Sequence, residues 1–300
     1  MAAPARTVGE ALQYCSETLS GSDVFFGHGT DNAWDEAVQL VLSVADLPLD
    51  SGDGVLPHPL APAAGARLEA LLRMRIEQHI PLPYLLGKAW FAGLEFICDE
   101  RAIIPRSPLA ELILNEFQPW YSGPAPRRVL DLCCGGGCIG LAVAHYFPDV
   151  RVDLADIDPA ALALARENAQ AMMGVGDRAN IIESDVFAAL GDVRYDLILS
   201  NPPYVDAQDM AQLPAEFRHE PERALGSGPD GLELTRRILR DARRFLADSG
   251  LLVVEVGNSW AALEEAYPLL PFTWLEFEHG GHGVFALTAK ELQDYGACLG

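Results

Sequence analysis

After Pro126 the chain alternates between short apolar runs and segments of helical periodicity, and few folds accept that pattern. Arg128–Leu132, Val150–Ile157, Asn180–Glu183, Tyr195–Ser200, Leu251–Val256, Phe272–Phe277 and Val284–Thr288 read as strands. Gly140–Phe147, Pro159–Ala171 behind an Asp158 cap, and Leu232–Leu246 read as helices. Strands that are nearly continuously apolar must be covered on both faces, so the repeated β-α-β texture implies a mostly parallel sheet between two helical layers. Ligands of such sheets bind outside the carboxyl ends of the strands, so chemistry is sought there.

The first part of the chain has a different texture. Leu12 and Leu19, then Trp34, Ala37, Val38, Val41, Leu42 and Ala45, recur at helical spacing. Asp31 is the expected cap of the second helix and Pro48 its stop; a Gly/Pro-rich loop, 50–65, leads to a helix at Arg67–His79. Trp90-Phe91 and Glu95-Phe96-Ile97 flank Ala92-Gly93 as a hairpin, and Ser107-Pro108 opens a helix running to about Phe117. The expected organisation is a helical domain at 1–82 that carries substrate recognition, a hairpin linker at 83–106 and an α/β domain at 107–300.

Charge narrows the function classes. Against 21 basic side chains stand 43 acidic ones, a net charge of -22 on a chain that is 50% hydrophobic. That composition folds, repels phosphate backbones and anionic membranes, and draws basic partners from a distance. Direct nucleic-acid or membrane binding is not expected. The opening Met1–Thr7 has no apolar leader, no apolar run reaches membrane-spanning length, and the six cysteines form no regular framework, so a cytoplasmic setting is expected. Cys133, Cys134 and Cys138 lack a second ligand pair at zinc spacing, and His279-Gly-Gly-His282 reads as a hairpin turn, so no metal is expected.

Four strand ends carry candidate chemistry. Asp131-Leu-Cys-Cys-Gly-Gly-Gly137 is a turn whose glycines permit positive φ and close approach of a ligand to the backbone; a dinucleotide fingerprint is the alternative, with the wrong residues ahead of Gly135. Asp156 stands where a carboxylate can accept from a ribose diol. Asp185-Val186 offers a carboxylate for an exocyclic amine and an apolar face for a base; a plain turn is the alternative. Asn201-Pro-Pro-Tyr204 places two prolines at a buried strand's end, which suits a rigid turn and not a ladder. An amide nitrogen is a poor nucleophile. The Asn201 side-chain oxygen and the Pro202 carbonyl could accept its two N–H bonds and aim its lone pair, which is catalysis by orientation.

In this order, Asp131–Gly137, Asp156, Asp185 and Asn201–Tyr204 resemble the class I S-adenosylmethionine-dependent methyltransferases that modify planar nitrogens. Pro83-Tyr-Leu-Leu-Gly87, Phe91–Phe96, Ile104-Pro-Arg-Ser-Pro108, Glu220–Leu225 and Gly228–Leu232 are similar to the HemK-type protein glutamine methyltransferases over nearly the whole chain. Lys88-Ala-Trp-Phe91, Pro105–Leu112 and Cys133 resemble the branch that methylates large-subunit ribosomal protein L3. The alternatives are the release-factor branch, adenine methylation of nucleic acid, and a catalytically idle binding module. The resemblance implies a Rossmann-like seven-stranded sheet and S-adenosylmethionine as cofactor, held by Asp131, Cys133, Cys134, Gly135, Gly136, Gly137, Asp156, Ile157, Asp185, Val186 and Asn201. It implies Asn201, Pro202, Pro203 and Tyr204 as the catalytic turn, with the main-chain N–H near Tyr204 aimed at the acceptor's amide oxygen, and a basic ribosomal protein as substrate. The sequence departs from the family pattern at Cys134 and Gly136, where hydroxyl residues are usual.

Overall fold

The computed structural model describes residues 7–299, so the reading of Met1–Arg6 falls outside the described residues. Two compact units emerge: the chain up to Ala89 joined by Pro214–His219, and Trp90–Leu213 joined by the chain from Glu220 onward.

The first unit contains α1 (Val8–Ser20), α2 (Ala33–Val44), α3 (Pro62–Glu77) and the short α4 (Leu82–Leu86). A capping box of Thr7 and Glu10 starts α1. Asn32, not the expected Asp31, caps α2: its Oδ1 accepts from the Asp35 N–H at 2.9 Å, while Asp31 accepts from the Asn32 amide. That helix ends well before Pro48, because Asp46 takes a positive φ of 53°. Helix α3 begins ahead of the expected Arg67, since Pro62 fits a first turn without cost. Leu12, Leu19, Val41, Leu68 and Leu72 form the core. Inside it lies Arg75, 1% exposed, donating to Glu36 at 2.6 Å, to Glu216 at 2.9 Å and to the Phe25 carbonyl at 2.7 Å. Its charge is tolerated there because it is paired and its donors are used. Glu216 comes from the returning Pro214–His219 segment, which the ion pair fixes among the helices.

The hairpin of β1 (Lys88–Phe91) and β2 (Leu94–Ile97) turns through Ala92 and Gly93, both at positive φ, and the second unit begins within β1. Helix α5 (Leu109–Leu114) stops short of Phe117 because Glu116 and Phe117 take φ of 53° and 59°. There follow β3 (Arg128–Leu132), α6 (Cys138–Tyr146), β4 (Arg151–Asp156), α7 (Pro159–Ala171), β5 (Ala179–Glu183), β6 (Tyr195–Ser200), α8 (Ala207–Met210) and α9 (Glu233–Ala242). The chain ends with β7 (Leu246–Glu255), α10 (Trp260–Ala266), β8 (Thr273–Trp274), β9 (Val284–Thr288) and α11 (Ala289–Asp294).

The seven strands order as β5-β4-β3-β6-β7-β9-β8, parallel from β5 to β7, with β9 antiparallel to both its neighbours. Alternate residues feed two cores: Val129, Leu197, Leu199 and Val253 pack with α5, α6 and α7, while Leu130, Ile198, Leu252 and Val254 pack with α9 and α11. Two expected elements are shorter. The helix at Leu232–Leu246 yields its end to β7, and the strand at Phe272–Phe277 keeps only Thr273–Trp274 in register with β9. Helices α4, α8, α10 and α11 are not among the expected elements, although Thr288 and Glu291 form a capping box that the sequence displays. The chain runs outward through β3, β4 and β5, then resumes beside β3 at β6; this reversal opens a crevice at the carboxyl ends.

Candidate active site

The turn after β3 is left-handed at Cys133 (φ 60°), Gly135 (53°) and Gly137 (81°). Only Cys133 carries a Cβ there, at a cost of about 1–2 kcal/mol. Gly140 lets α6 come down onto the sheet: a Cβ would lie 2.9 Å from those of Asp131 and from Val152 Cγ1. Its N–H donates to Asp131 Oδ2 at 2.8 Å. Asp131 is fully buried, its Oδ1 has no hydrogen-bond partner among the described residues, and burial, with Asp156 nearby, pushes its carboxyl up to about 7 against the pull of the Gly140 N–H.

Asp156, ending β4, braces the same turn. Its Oδ2 accepts from the Gly135 N–H at 2.8 Å and its Oδ1 from the Asp158 N–H at 2.9 Å. The carboxylate, with about four acceptor sites, keeps capacity for a ligand hydroxyl. Burial raises its pKa and these N–H groups offset part of the rise. Asp158 caps α7, as expected.

These strand ends border a cleft with about 690 Å³ of atom-free space, open mouth included. Cys133, Gly135, Asp156, Ile157, Asp185, Val186, Asn201 and Pro203 line it, from the ends of four adjacent strands. A second lobe of about 410 Å³ is lined by Cys133–Gly136, Asn201 and Arg106-Ser107 among others. Cys133, Gly135 and Asn201, with Ile103, line both, so the two spaces share a wall. Asp131, Gly137, Pro202 and Tyr204 are not part of either lining. Asp185 reaches the cleft already paired with Arg237 at 2.8 Å, which lowers its carboxyl's pKa.

Sequence reasoning missed Arg101–Ile103, Pro221 and Leu234 in the first lobe. Arg101 is fixed at the rim by Asp99 and Glu167, both at 2.7 Å. A signal existed in the motifs themselves. Ile104–Pro108 and Glu220–Leu225 meet, since Glu220 accepts from the Ile104 N–H at 2.9 Å and from Arg106 Nη2 at 2.8 Å.

The Asn201–Tyr204 turn is secured from below and behind. Ser200, closing β6, donates to the Leu132 carbonyl at 2.6 Å and ties the turn to the end of β3. Pro202 is buried. The Tyr204 carbonyl accepts from Ser259 Oγ at 2.8 Å, and its ring lies against Gly257, where a Cβ would come within 2.5 Å. The Tyr204 hydroxyl donates to Glu255 at 2.9 Å; burial first and Glu255 second push its pKa upward.

The model of the methyltransferase small domain matches residues 110–266. A ribosomal protein uL3 glutamine methyltransferase from Francisella tularensis is 45% identical over 96% of this chain and 92% of its own. One from Xylella fastidiosa is 46% identical over 95% and 91%. The chain belongs to the uL3 glutamine methyltransferase family. A crystal structure of the hMettl16 catalytic domain with a MAT2A 3′UTR hairpin shares the fold at 18% identity and a TM-score of 0.51, over 74% of this chain and 80% of that one.

As a uL3 glutamine methyltransferase family member, the protein is an S-adenosylmethionine-dependent enzyme with the class I fold. Its cleft fits that cofactor. A carboxylate with acceptor capacity left stands at the end of β4, apolar Ile157 and Val186 line the same cleft, and the side-chain-free Gly135 and Gly136 border the second lobe. Among the described residues no cluster of three or more metal-ligating side chains occurs, and no helix is long and apolar enough to cross a membrane.

Proposed function

We propose that the protein methylates the side-chain amide nitrogen of a glutamine in large-subunit ribosomal protein uL3. The observation that carries the reading is Asn201, presented by a proline-stiffened turn and lining both lobes. The two curated relatives, 45% and 46% identical over nearly the whole chain, supply the acceptor.

S-adenosylmethionine, when bound, supplies an electrophilic methyl group on a sulfonium. Asp156 accepts from the ribose hydroxyls, and Ile157, Val186 and Asp185 border the adenine. Cys133–Gly137 take the methionine portion through main-chain N–H groups, which is why Cys134 and Gly136 can replace the usual hydroxyl residues. Asn201 Oδ1 and the Pro202 carbonyl accept both N–H bonds of the glutamine amide and hold its nitrogen lone pair toward the donor. The main-chain N–H near Tyr204 is aimed at the amide oxygen. Orientation replaces a strong base, and the proton of the methylated amide passes to water.

The helical unit recognises the substrate, and the net charge of -22 steers a basic ribosomal protein toward it in the cytoplasm. A labelled-methyl assay offering unmethylated uL3, an unmethylated release factor and double-stranded DNA side by side tests the reading. Label on uL3 alone is expected. Label on the release factor would keep the chemistry and overturn the acceptor, and label on DNA would overturn both.

A further inference from the structure

We infer that Glu255, outside the Asn-Pro-Pro-Tyr motif, is the positioning residue of the acceptor turn, and that Tyr204 serves by its ring and main chain while its hydroxyl is turned away from the acceptor. The inference rests on the glutamine methyltransferase reading of the site.

Glu255 ends β7, the parallel neighbour of β6, and is 6% exposed. Its Oε1 accepts from the Tyr204 hydroxyl at 2.9 Å and its Oε2 from the Ser107 hydroxyl at 2.6 Å. A carboxylate in such a place is costly. What it provides is an acceptor-only group that makes donors of two hydroxyls at once, which neither an amide nor a methyl can do. Burial raises its pKa, while both hydroxyls and the charge of Arg106 favour the ionised form.

The two partners belong to different walls. Ser107 lines the second lobe and accepts from the Leu109 N–H at 3.2 Å, which opens α5. Tyr204 continues the turn that carries Asn201, and lines neither lobe. With its hydroxyl on Glu255, its ring on Gly257 and its carbonyl on Ser259, Tyr204 is restrained at three points, and the main chain from Asn201 onward inherits that position. One carboxylate therefore sets the spacing between the turn and the segment before α5. The phenol is spent in that task and gives no hydrogen bond to the glutamine amide.

The test uses the full chain with unmethylated uL3, measuring kcat, both KM values and the thermal midpoint for wild type, Glu255→Gln, Tyr204→Phe and the double variant. Glu255→Gln should lower kcat about 10- to 100-fold, the scale of a small misplacement, with the cofactor KM within about twofold of wild type. The double variant should be no slower than the slower single one. Should Glu255→Gln fail to fold, Ser107→Ala and Tyr204→Phe, which each remove one partner of the same carboxylate, should likewise be non-additive in kcat. An unchanged kcat in Glu255→Gln, additive losses in either cycle, or a Tyr204→Phe loss at least tenfold larger than that of Glu255→Gln would overturn the inference. Wild type that leaves uL3 unlabelled would instead overturn the proposed function.

Discussion

The turns that leave β3 and β6 lie side by side and solve opposite problems. The first, Cys133–Gly137, gets its shape from missing side chains and is braced by two carboxylates acting on backbone N–H groups: Asp156 on Gly135, and Asp131 on Gly140 in the helix that follows. The second, Asn201–Tyr204, gets its shape from side chains: two prolines, a ring against Gly257 and hydroxyl bonds from Ser200, Tyr204 and Ser259. On the proposed function the first turn presents backbone to the cofactor and tolerates changes of composition, whereas the second aims an amide and does not. The departures from the family pattern fall accordingly, at Cys134 and Gly136, while Asn201–Tyr204 is intact.

The contrast breaks most visibly at Gly231. A Cβ there would strike the Tyr204 carbonyl and Ser259 Oγ, and its φ of 73° suits glycine. Gly231→Ala should cost about 4 kcal/mol or prevent folding, measured by denaturant titration. Survival with full activity would show that the acceptor turn is less rigid than described.

On the cofactor side, Asp131 links stability to pH. Its folded-state pKa, near 7, lies above that of the unfolded chain, so the stability it contributes is present at acid pH and is lost as pH rises through about 7. Between pH 5 and 7.5 this amounts to roughly 2–3 kcal/mol. Asp131→Asn should flatten the dependence of the unfolding midpoint on pH over that range, and an unchanged slope would count against the assignment.

Asp156→Ala should weaken the cofactor about 10- to 100-fold in a calorimetric titration, the scale of hydrogen bonds to a charged group, while kcat at saturating cofactor falls far less. Unchanged affinity would contradict its ribose role. The smallest effect is expected for Cys133→Gly, which relieves left-handed strain but adds chain entropy to the unfolded state. It should stabilise by about 1 kcal/mol or less and leave kcat near wild type, and a large loss of kcat would show that this turn, too, depends on its side chains.

What was legible in the sequence follows the same division. The sheet could be read because Val129, Leu130, Ile198 and Val254 are apolar whichever face they meet, and α7 because Asp158-Pro159 announces its own start. The residues at the cleft's centre could be read because they sit at strand ends. What could not be read depends on partners remote in the chain. Arg75 looks like a solvated helix residue until Glu216 returns to it. Glu255 looks like an ordinary strand terminus until Tyr204 and Ser107 close on it. Tyr204 was legible as part of the turn, but the partner of its hydroxyl, Glu255, was not.

The most direct test of the account is a single-turnover experiment. Wild type and Asn201→Ala are each loaded with labelled S-adenosylmethionine, their cofactor affinities are measured by calorimetry, and unmethylated uL3 is added, with the labelled atom located by mass spectrometry. Wild type should place one methyl on a glutamine side-chain nitrogen. Asn201→Ala should bind the cofactor within about twofold of wild type and transfer at least 100-fold more slowly, the scale of removing a group that orients the reacting atoms. A methyl found on a lysine or the main chain, or a loss of affinity in the variant equal to its loss of rate, would contradict the division between the two turns.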